Sequence, residues 1–356
     1  MLSKQPTAFL LFLIMTILLL ASLGVYAQEV PRLPLVVREK IPVPAGLVKY
    51  MAATPPACDA AGNLYMQIAE PAPANPGQDP VTRISADGKH LTRFSLNSVP
   101  GISAKSNIDN FAVTPRGEVF LLVYIGDSPQ LVSYHDDGQF DSAHLIDRGI
   151  FSTHFAVFPT GEFLVRGIER SGPPGKKRDE ALTGLFDRNG RFLKEVALAD
   201  ELPFKSRAEY EEQADYRKQH RAAWEAMWHS QTLAADDGNV YVVRPANPLS
   251  VDVISPAGEI IRRLKLKPPG PSFQAGSLKV AGGNIVVEYF QKIAGDPQNR
   301  ISDFTYSVFA AESGEKLYDY YWPAEPSNFF ACYTPNYFTF LNIEDDGLKI
   351  VHAAAR

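Results

Sequence analysis

Short runs of alternating apolar and polar residues follow one another along most of this chain, and turns centred on glycine separate them. One sequence motif, which we call the recurring phrase, occurs six times. It consists of a couple of apolar residues, a small polar gap, a Gly-Asn-like turn and then an alternating apolar strand with an aromatic residue. The copies are 58–65, 113–120, 157–164, 234–241, 279–286 and, in degraded form, 332–339. Alternation between closely spaced turns predicts β-strands, so the pattern predicts an all-β protein made of repeats.

Each copy continues with a second turn and a second pair of strands. The second turns stand at 87–88, 137–138, 189–190, 257–258 and 313–314, which gives four predicted strands per unit. The first turns recur about every 45–55 residues, with one longer interval, as is typical of four-stranded propeller blades. We therefore predict one domain, 28–356, that forms a six-bladed β-propeller.

The two ends of the repeat array predict that the ring closes on itself. The sixth unit ends after its third strand, at 348–352, whereas an additional strand at 35–41 precedes the first unit. This N-terminal strand is expected to complete the last blade, because closure removes the open edge that a linear array would leave.

The long interval between blades three and four predicts a helical insertion, about 203–229. Ser206 and Glu209 form a capping box, and 207–228 contains no Gly or Pro. Trp224 and Trp228 recur on one face at helical spacing. Either they pack the helix onto the propeller, or the helix is a lid whose aromatic face covers a ligand at the channel mouth.

The N-terminus predicts export, to the periplasm or the outside of the cell. Lys4, an apolar stretch over 8–20 and the small-residue site ending at Ala27 are typical of a signal peptide, 1–27, so that the mature chain begins at Gln28. If uncleaved, the apolar run 8–25 is nearly long enough to span a bilayer. With 35 Lys and Arg against 40 Asp and Glu, the chain has no basic surface for nucleic acid.

Additional length concentrates in connections that lie on one face of a propeller. These are 70–80, 170–180, 292–302 and the helical insertion. Because loops on a rigid scaffold carry function, this insertion-bearing face is the predicted binding face. Arg170, Arg244 and Glu288 end second strands at the same rim, where they either bind an anionic or carbohydrate ligand or form surface salt bridges.

A second candidate region is the central channel. The position seven residues before each turn landmark points to the channel and holds Pro55, Asn110, His154, Gln231, Gly276 and Phe329. Asp109 and His229 lie close to this ring in sequence. Asn110, His154 and His229, together with Asp109, are candidates for binding a divalent metal or for proton transfer, and the alternative is a solvated polar wall. No cofactor is predicted, although a divalent metal is compatible with these residues.

The two cysteines, Cys58 and Cys332, occupy the same slot of the first and sixth repeats. Ring closure makes their strands neighbours, and an exported protein can keep a disulfide between them. The alternative is two buried small residues, because equivalent positions on adjacent strands can exceed the roughly 7 Å Cα limit.

The turn phrase followed by a strand and an Asp-Gly turn resembles the NHL-type six-bladed propellers and the related gluconolactonase-like families. The resemblance covers nearly all of 34–356 outside the predicted helix. In gluconolactonase-like relatives it implies one metal held by Glu, Asn and Asp at the channel. Asn110 and Asp109 match such a role, whereas Pro55 stands where the Glu is expected. In the peptide-amidating lyase branch the implied ligands include several His, matched here by His154 and His229.

These observations favour a binding module for a peptide, glycan or partner protein, which acts through the insertion-bearing face. The alternative is a metal-dependent lactonase or lyase with its site at the central channel. A purely structural role in an envelope complex is a third hypothesis.

Overall fold

The structure, a computed structural model, consists almost entirely of β-strands. It describes residues 32–43, 55–68, 79–102, 106–126, 128–171, 178–198, 230–244, 248–296, 300–322, 328–344 and 347–356. The predicted signal peptide 1–27 and the predicted helical insertion lie outside these residues. A short 3₁₀ turn, Leu96–Ser98, follows the first four-stranded sheet.

In the part of the chain that the structure describes, four sheets have four strands each, in sequence order, and neighbouring strands are antiparallel. We call these sheets sets one to four. Set one comprises β2 (Ala57–Cys58), β3 (Leu64–Gln67), β4 (Val81–Ile84) and β5 (Leu91–Phe94), and set two comprises β6 (Asn107–Val113), β7 (Val119–Ile125), β8 (Ser128–Tyr134) and β9 (Phe140–Leu145). Set three comprises β10 (Ile150–Val157), β11 (Phe163–Ser171), β12 (Arg178–Phe186) and β13 (Phe192–Glu195), and set four comprises β14 (Gln231–Ala234), β15 (Val240–Arg244), β16 (Leu249–Ile254) and β17 (Ile260–Leu266).

The remaining strands form one eight-stranded sheet in the order β18-β19-β20-β21-β1-β24-β23-β22. We call its first four strands set five and the others set six. Their bounds are β18 (Gln274–Ala281), β19 (Asn284–Lys292), β20 (Ile301–Ala310), β21 (Lys316–Trp322), β1 (Arg32–Pro42), β24 (Gly347–Ala355), β23 (Tyr337–Glu344) and β22 (Asn328–Thr334).

The N-terminal strand pairs with the last strand, as the sequence predicts. β1 runs antiparallel to β24, from Leu35 opposite Ala355 to Pro42 opposite Lys349. The parallel pairing of β1 with β21 was not predicted. It begins with Arg32 opposite Asp319. Because β1 starts earlier than the predicted strand, its first residues reach the edge of set five and join the two sets into one sheet.

Neighbouring sets share apolar cores, and these cores close a ring. The first strands of consecutive sets contact one another in the order β2, β6, β10, β14, β18, β22 and again β2. Among the described residues, six clusters of buried apolar side chains lie between neighbouring sets. One of them lies between the last set and the first, where Leu341 and Ile350 pack with Leu64 and Met66. The arrangement is therefore propeller-like, with four-stranded blades around a common axis.

The recurring phrase has a local physical cause. Gly62 adopts φ +82°, a conformation that favours glycine, and Asp59 accepts hydrogen bonds from the amides of the same turn. The Tyr65 hydroxyl donates to the Asp59 carboxylate at 2.9 Å, and Tyr241 donates to Asp237 at 2.7 Å in set four. The aromatic residue after the turn is thus tied to the acid before it.

A disulfide joins Cys58 of β2 to Cys332 of β22, with Cα atoms 6.0 Å apart. This separation lies within the usual range for disulfides. The bond spans 274 residues of sequence and connects the first strands of sets one and six, where the ring closes.

We expect the double replacement Cys58→Ser, Cys332→Ser to lower the free energy of unfolding by about 2–5 kcal/mol, because a cross-link over so long a loop restricts the unfolded chain. Urea denaturation of residues 28–356, with and without reducing agent, measures the effect. Since the sequence has only 2 cysteines, reducing agent should destabilise the wild type alone. Equal stability of the oxidised wild type and the variant would contradict the stapling role.

Candidate functional site

An axial cavity of about 530 Å³ lies among the first strands of the sets. Such a volume falls in the range of small-molecule sites. Four of the six predicted ring residues line it, namely Pro55, Asn110, His154 and Gln231, and so does Asp109. Gly276 and Phe329 are not among the lining residues, and Phe329 is 46% exposed. The spacing of the repeat therefore located the channel wall, and the binding role of these residues stays a prediction.

Asp109 reaches the cavity because β6 carries a β-bulge there. The register with β7 shifts between Ile108 and Asn110, so Asp109 has no partner in the ladder. A bulge re-aims side chains, which places both Asp109 and its neighbour Asn110 at the cavity. The side-chain oxygen of Asn110 accepts the Phe111 amide at 2.8 Å, so its side-chain NH₂ remains available as a donor among the described residues.

The Asp109 carboxylate has no hydrogen-bond partner in the part of the chain that the structure describes. Enclosure by the channel walls raises its pKa to about 6, although the residue keeps contact with water in the cavity. No cation contributes to this pKa. A carboxylate in such a setting either takes up a proton close to neutral pH or is stabilised by a cationic ligand group.

Tyr124 supports the wall beside Asp109. Its hydroxyl donates to the carbonyl of Ile150 at 2.5 Å and accepts the Ser152 amide at 2.8 Å, which joins β7 to β10. Burial, and to a smaller extent the charge of Asp109, raises the pKa of Tyr124 to about 12. Tyr124 therefore acts as a fixed hydrogen-bonding link at neutral pH.

His154 lies opposite Arg166 in the register of β10 and β11. Arg166 is a buried cation, 1% exposed, that donates to the hydroxyls of Thr183 and Ser230. Ser230 lines the cavity next to Gln231. The sequence analysis did not single out Arg166. A charged residue within the apolar run of β11 could have indicated it.

Gln231 is engaged with the protein itself. Its side-chain NH₂ donates to the carbonyl of Gly276 at 3.0 Å, and its side-chain oxygen accepts the Leu278 amide at 3.1 Å. The register of β18 shifts between Ala275 and Leu278, so Gln231 supplies a partner at the bulge. We therefore assign Gln231 to joining sets four and five.

Lys279 is a second residue at the cavity that the sequence analysis missed. It lines the cavity, and its ammonium donates to the carbonyl of Pro56 at 2.7 Å. Enclosure lowers its pKa to about 8, against a smaller opposite effect of the Glu288 charge. Lys279 occupies the repeat position that holds Cys58 and Cys332 in sets one and six. A cation at a position that otherwise holds a small residue could have indicated its place at the cavity.

Glu288 lies behind this wall, away from the predicted rim. Its carboxylate accepts from the Ser277 amide and hydroxyl at 3.3 and 3.0 Å and from the Tyr306 hydroxyl at 3.3 Å. Burial raises the pKa of Glu288, and these hydrogen bonds oppose the rise. The carboxylate is thus satisfied by the protein, and Ser277 separates it from the cavity.

Arg244, predicted either to bind a ligand at the rim or to form a surface salt bridge, forms a buried ion pair. Its guanidinium lies 2.8 Å from the carboxylate of Asp252, and the two side chains are 6% and 0% exposed. Ser250 of β16 lies opposite Arg244, so Asp252 is its diagonal neighbour in the sheet. The predicted surface salt bridge is therefore internal.

Three other predicted site residues add little geometry. The backbone of Arg170 pairs with Asp179 in β11 and β12. Trp228 and His229 lie outside the described residues, as does the predicted lid. The described part of the chain contains no group of three His, Cys, Asp or Glu side chains able to hold a metal ion. Of the proposed metal ligands, Asn110 and His154 share the cavity.

No described helix is both long and apolar enough to cross a lipid bilayer.

No family model and no curated protein sequence matches this chain. Solved structures with a similar arrangement include a protein of unknown function from Bacteroides caccae, at 13% identity and a TM-score of 0.42 over 77% of this chain and 82% of that one. PQQ-bound aldose sugar dehydrogenase from Streptomyces coelicolor has 12% identity and a TM-score of 0.45 over 92% of this chain and 100% of that one. Virginiamycin B lyase from Staphylococcus aureus has 10% identity and a TM-score of 0.45 over 89% of this chain and 99% of that one. At these values the similarities carry no argument about function. The chain is a propeller-like all-β protein with an axial cavity.

We expect Asp109→Asn to stabilise the protein at pH 8 and to have little effect at pH 4. The raised pKa means that the folded state holds the Asp109 proton more tightly than the unfolded state, whose pKa is about 3.9. Ionisation therefore destabilises the fold progressively between about pH 4 and 6 and fully above that range. The gain at pH 8 is on the order of 1 kcal/mol, since water in the cavity screens the charge.

Urea denaturation at both pH values measures this difference. Asp87→Asn is the control, because a hydrogen bond from Ser85 lowers the pKa of Asp87 and the pH trend should be opposite. A pH-independent effect of Asp109→Asn would refute the assignment of an unpaired carboxylate.

Proposed function

We propose that this protein is an exported six-bladed propeller of the NHL-like or gluconolactonase-like type that acts as a binding module. In this proposal the eight-stranded sheet is blades five and six, joined along β1 and β21. The closed order of six first strands and the six apolar clusters between sets support this blade count. Residues 1–27 are proposed to be a signal peptide that directs the chain to the periplasm or the outside of the cell.

The observation that carries the binding proposal is the pair Asp109 and Asn110 at the cavity. Both present polar groups that no described residue satisfies, and both lie at a cavity that encloses them only in part, since Asp109 is exposed to solvent and Asn110 is half-buried. A ligand that supplies those partners gains their interaction. The remaining wall is largely apolar, with Phe111, Leu233 and Val280 among the lining residues. A concave, mostly apolar cavity with few convergent polar groups is typical of a ligand site.

Chain order supports access at the insertion-bearing face. Asp109 lies near the start of β6 and Ser230 directly precedes β14, where connections from the previous blades arrive, whereas His154 lies in the middle of β10. Segments 44–54 and 199–229 lead directly into Pro55 and Ser230 in the sequence. We propose that a peptide, a glycan or an extended part of a partner protein enters the cavity there. The net charge of −5 argues against nucleic acid.

The alternative is a metal-dependent lactonase or lyase. One observation favours it: a carboxyl with a pKa of about 6, Asn110 and His154 line the same cavity, and perturbed carboxyls are common in active sites. Thermal unfolding after chelator treatment, and again with calcium or zinc restored, separates the two functions. A ligand at about 100 times its dissociation constant stabilises by about 2.7 kcal/mol. A metal-dependent rise in melting temperature supports the enzyme, and none is expected for the binding module.

We expect Asn110→Phe to weaken ligand binding at least about tenfold, because the ring removes a donor and fills the cavity. Peptide and glycan arrays probed with the mature chain identify ligands, and titration calorimetry gives their affinities. Asn189→Phe is the matched control, since Asn189 is exposed in the turn before β13. If both variants bind like the wild type, the cavity is not the site.

A further inference from the structure

Asp59, Asp109, Asp236 and Lys279 are charged residues that line the cavity, and Asp59 and Asp236 accept hydrogen bonds from the protein. Asp109 and Lys279 differ from them, because neither forms an ion pair among the described residues and the Glu288 charge only partly offsets the enclosure of Lys279. No described residue donates a hydrogen bond to Asp109, and no charge contributes to its pKa. Lys279 donates one N–H to the carbonyl of Pro56, a neutral acceptor, and the other two have no acceptor among the described residues. No ion pair joins Asp109 to Lys279, although both line the same cavity. Unpaired charges in enclosed sites are costly, so each favours a ligand group of opposite sign.

The strands that carry these two residues lie on opposite sides of the ring. The first strands follow one another around the axis, and β6 and β18 are three steps apart in either direction. The Lys279 ammonium extends to Pro56, which directly precedes β2, and β2 is the neighbour of β6 in the ring. One small ligand in the channel would therefore meet the carboxylate from β6 and the ammonium beside the neighbouring set.

We propose that the cavity binds a zwitterion, namely a short peptide with both ends free. Its terminal ammonium pairs with Asp109, and its terminal carboxylate pairs with Lys279, while the Asn110 NH₂ donates to a carbonyl of the ligand. This inference rests on the proposed function and selects one ligand class from it. A neutral sugar or an internal peptide segment would leave both charges unpaired.

Titration calorimetry with the mature chain at pH 7 tests the proposal. At this pH Asp109 is mainly ionised and Lys279 is mainly protonated. The probes are dialanine and trialanine, each with free ends, with an acetylated N-terminus and with an amidated C-terminus. We expect the free forms to bind and each cap to weaken binding at least about tenfold, because it removes one charged partner.

Two variants assign the ends. The Asp109→Asn variant should bind free and N-acetylated peptides equally, and it should still bind C-amidated peptides more weakly. The Lys279→Met variant should bind free and C-amidated peptides equally, and it should still bind N-acetylated peptides more weakly. Lys89→Met is the control, since Lys89 is exposed in the turn between β4 and β5, and it should keep both preferences. Selective loss of one preference cannot arise from general unfolding, and thermal melting of each variant checks the fold.

Equal affinity for capped and free peptides would overturn the inference. The inference would also fail if the short peptides did not bind while array ligands bound to the wild type and lost affinity in Asn110→Phe. In that case the proposed function stands and only the ligand class is wrong. Binding of array ligands that Asn110→Phe leaves unchanged is the separate failure of the proposed function.

Discussion

Closure of the ring is the constraint on which the rest of this structure depends. Each set of strands is apolar on both faces and can be buried only between two neighbours, so the last set must pack against the first. The cluster around Leu64 and Ile350 provides that contact, and the disulfide between Cys58 and Cys332 connects the same two first strands. The N-terminal strand contributes twice, through antiparallel pairing with β24 and parallel pairing with β21.

A closed ring of this kind fixes the positions of the side chains along its axis. The first strands of sets two, three, five and six each carry a register shift near their beginnings. These shifts turn Asp109 toward the cavity and leave a backbone carbonyl for Gln231 to satisfy. Tyr124 and Gln231 link neighbouring sets, so they help to fix the strands that carry Asp109 and Lys279. A preorganised site loses less freedom when a ligand binds.

Much of the fold was predictable because its signals are local. A glycine at φ +82° and an acid that accepts from the turn and from the following tyrosine are encoded within eight residues, as at Asp59, Gly62 and Tyr65. The closing strand was predictable from counting strands. The union of sets five and six was not, since it depends on how far β1 extends toward Asp319.

The candidate site was only partly predictable, since bulges and long-range contacts determine it. Spacing placed Asn110 and His154 at the channel, but the bulge at Asp109 has no clear local signature. Arg244 pairs with a strand neighbour that only the register identifies, and Lys279 reaches a carbonyl 223 residues away in sequence. Such interactions arise from tertiary structure, so a pattern of apolar and polar positions does not reveal them.

The most direct test is a carbon NMR titration of the Asp109 carboxyl in ligand-free protein, residues 28–356, with Asp109→Asn to assign the signal. We predict a midpoint near pH 6, because the channel walls partly enclose a carboxylate that has no cationic partner among the described residues. A midpoint near the ordinary value of about 3.9 would mean that Asp109 is already paired or fully hydrated, and the cavity would then not be the charged ligand site described here.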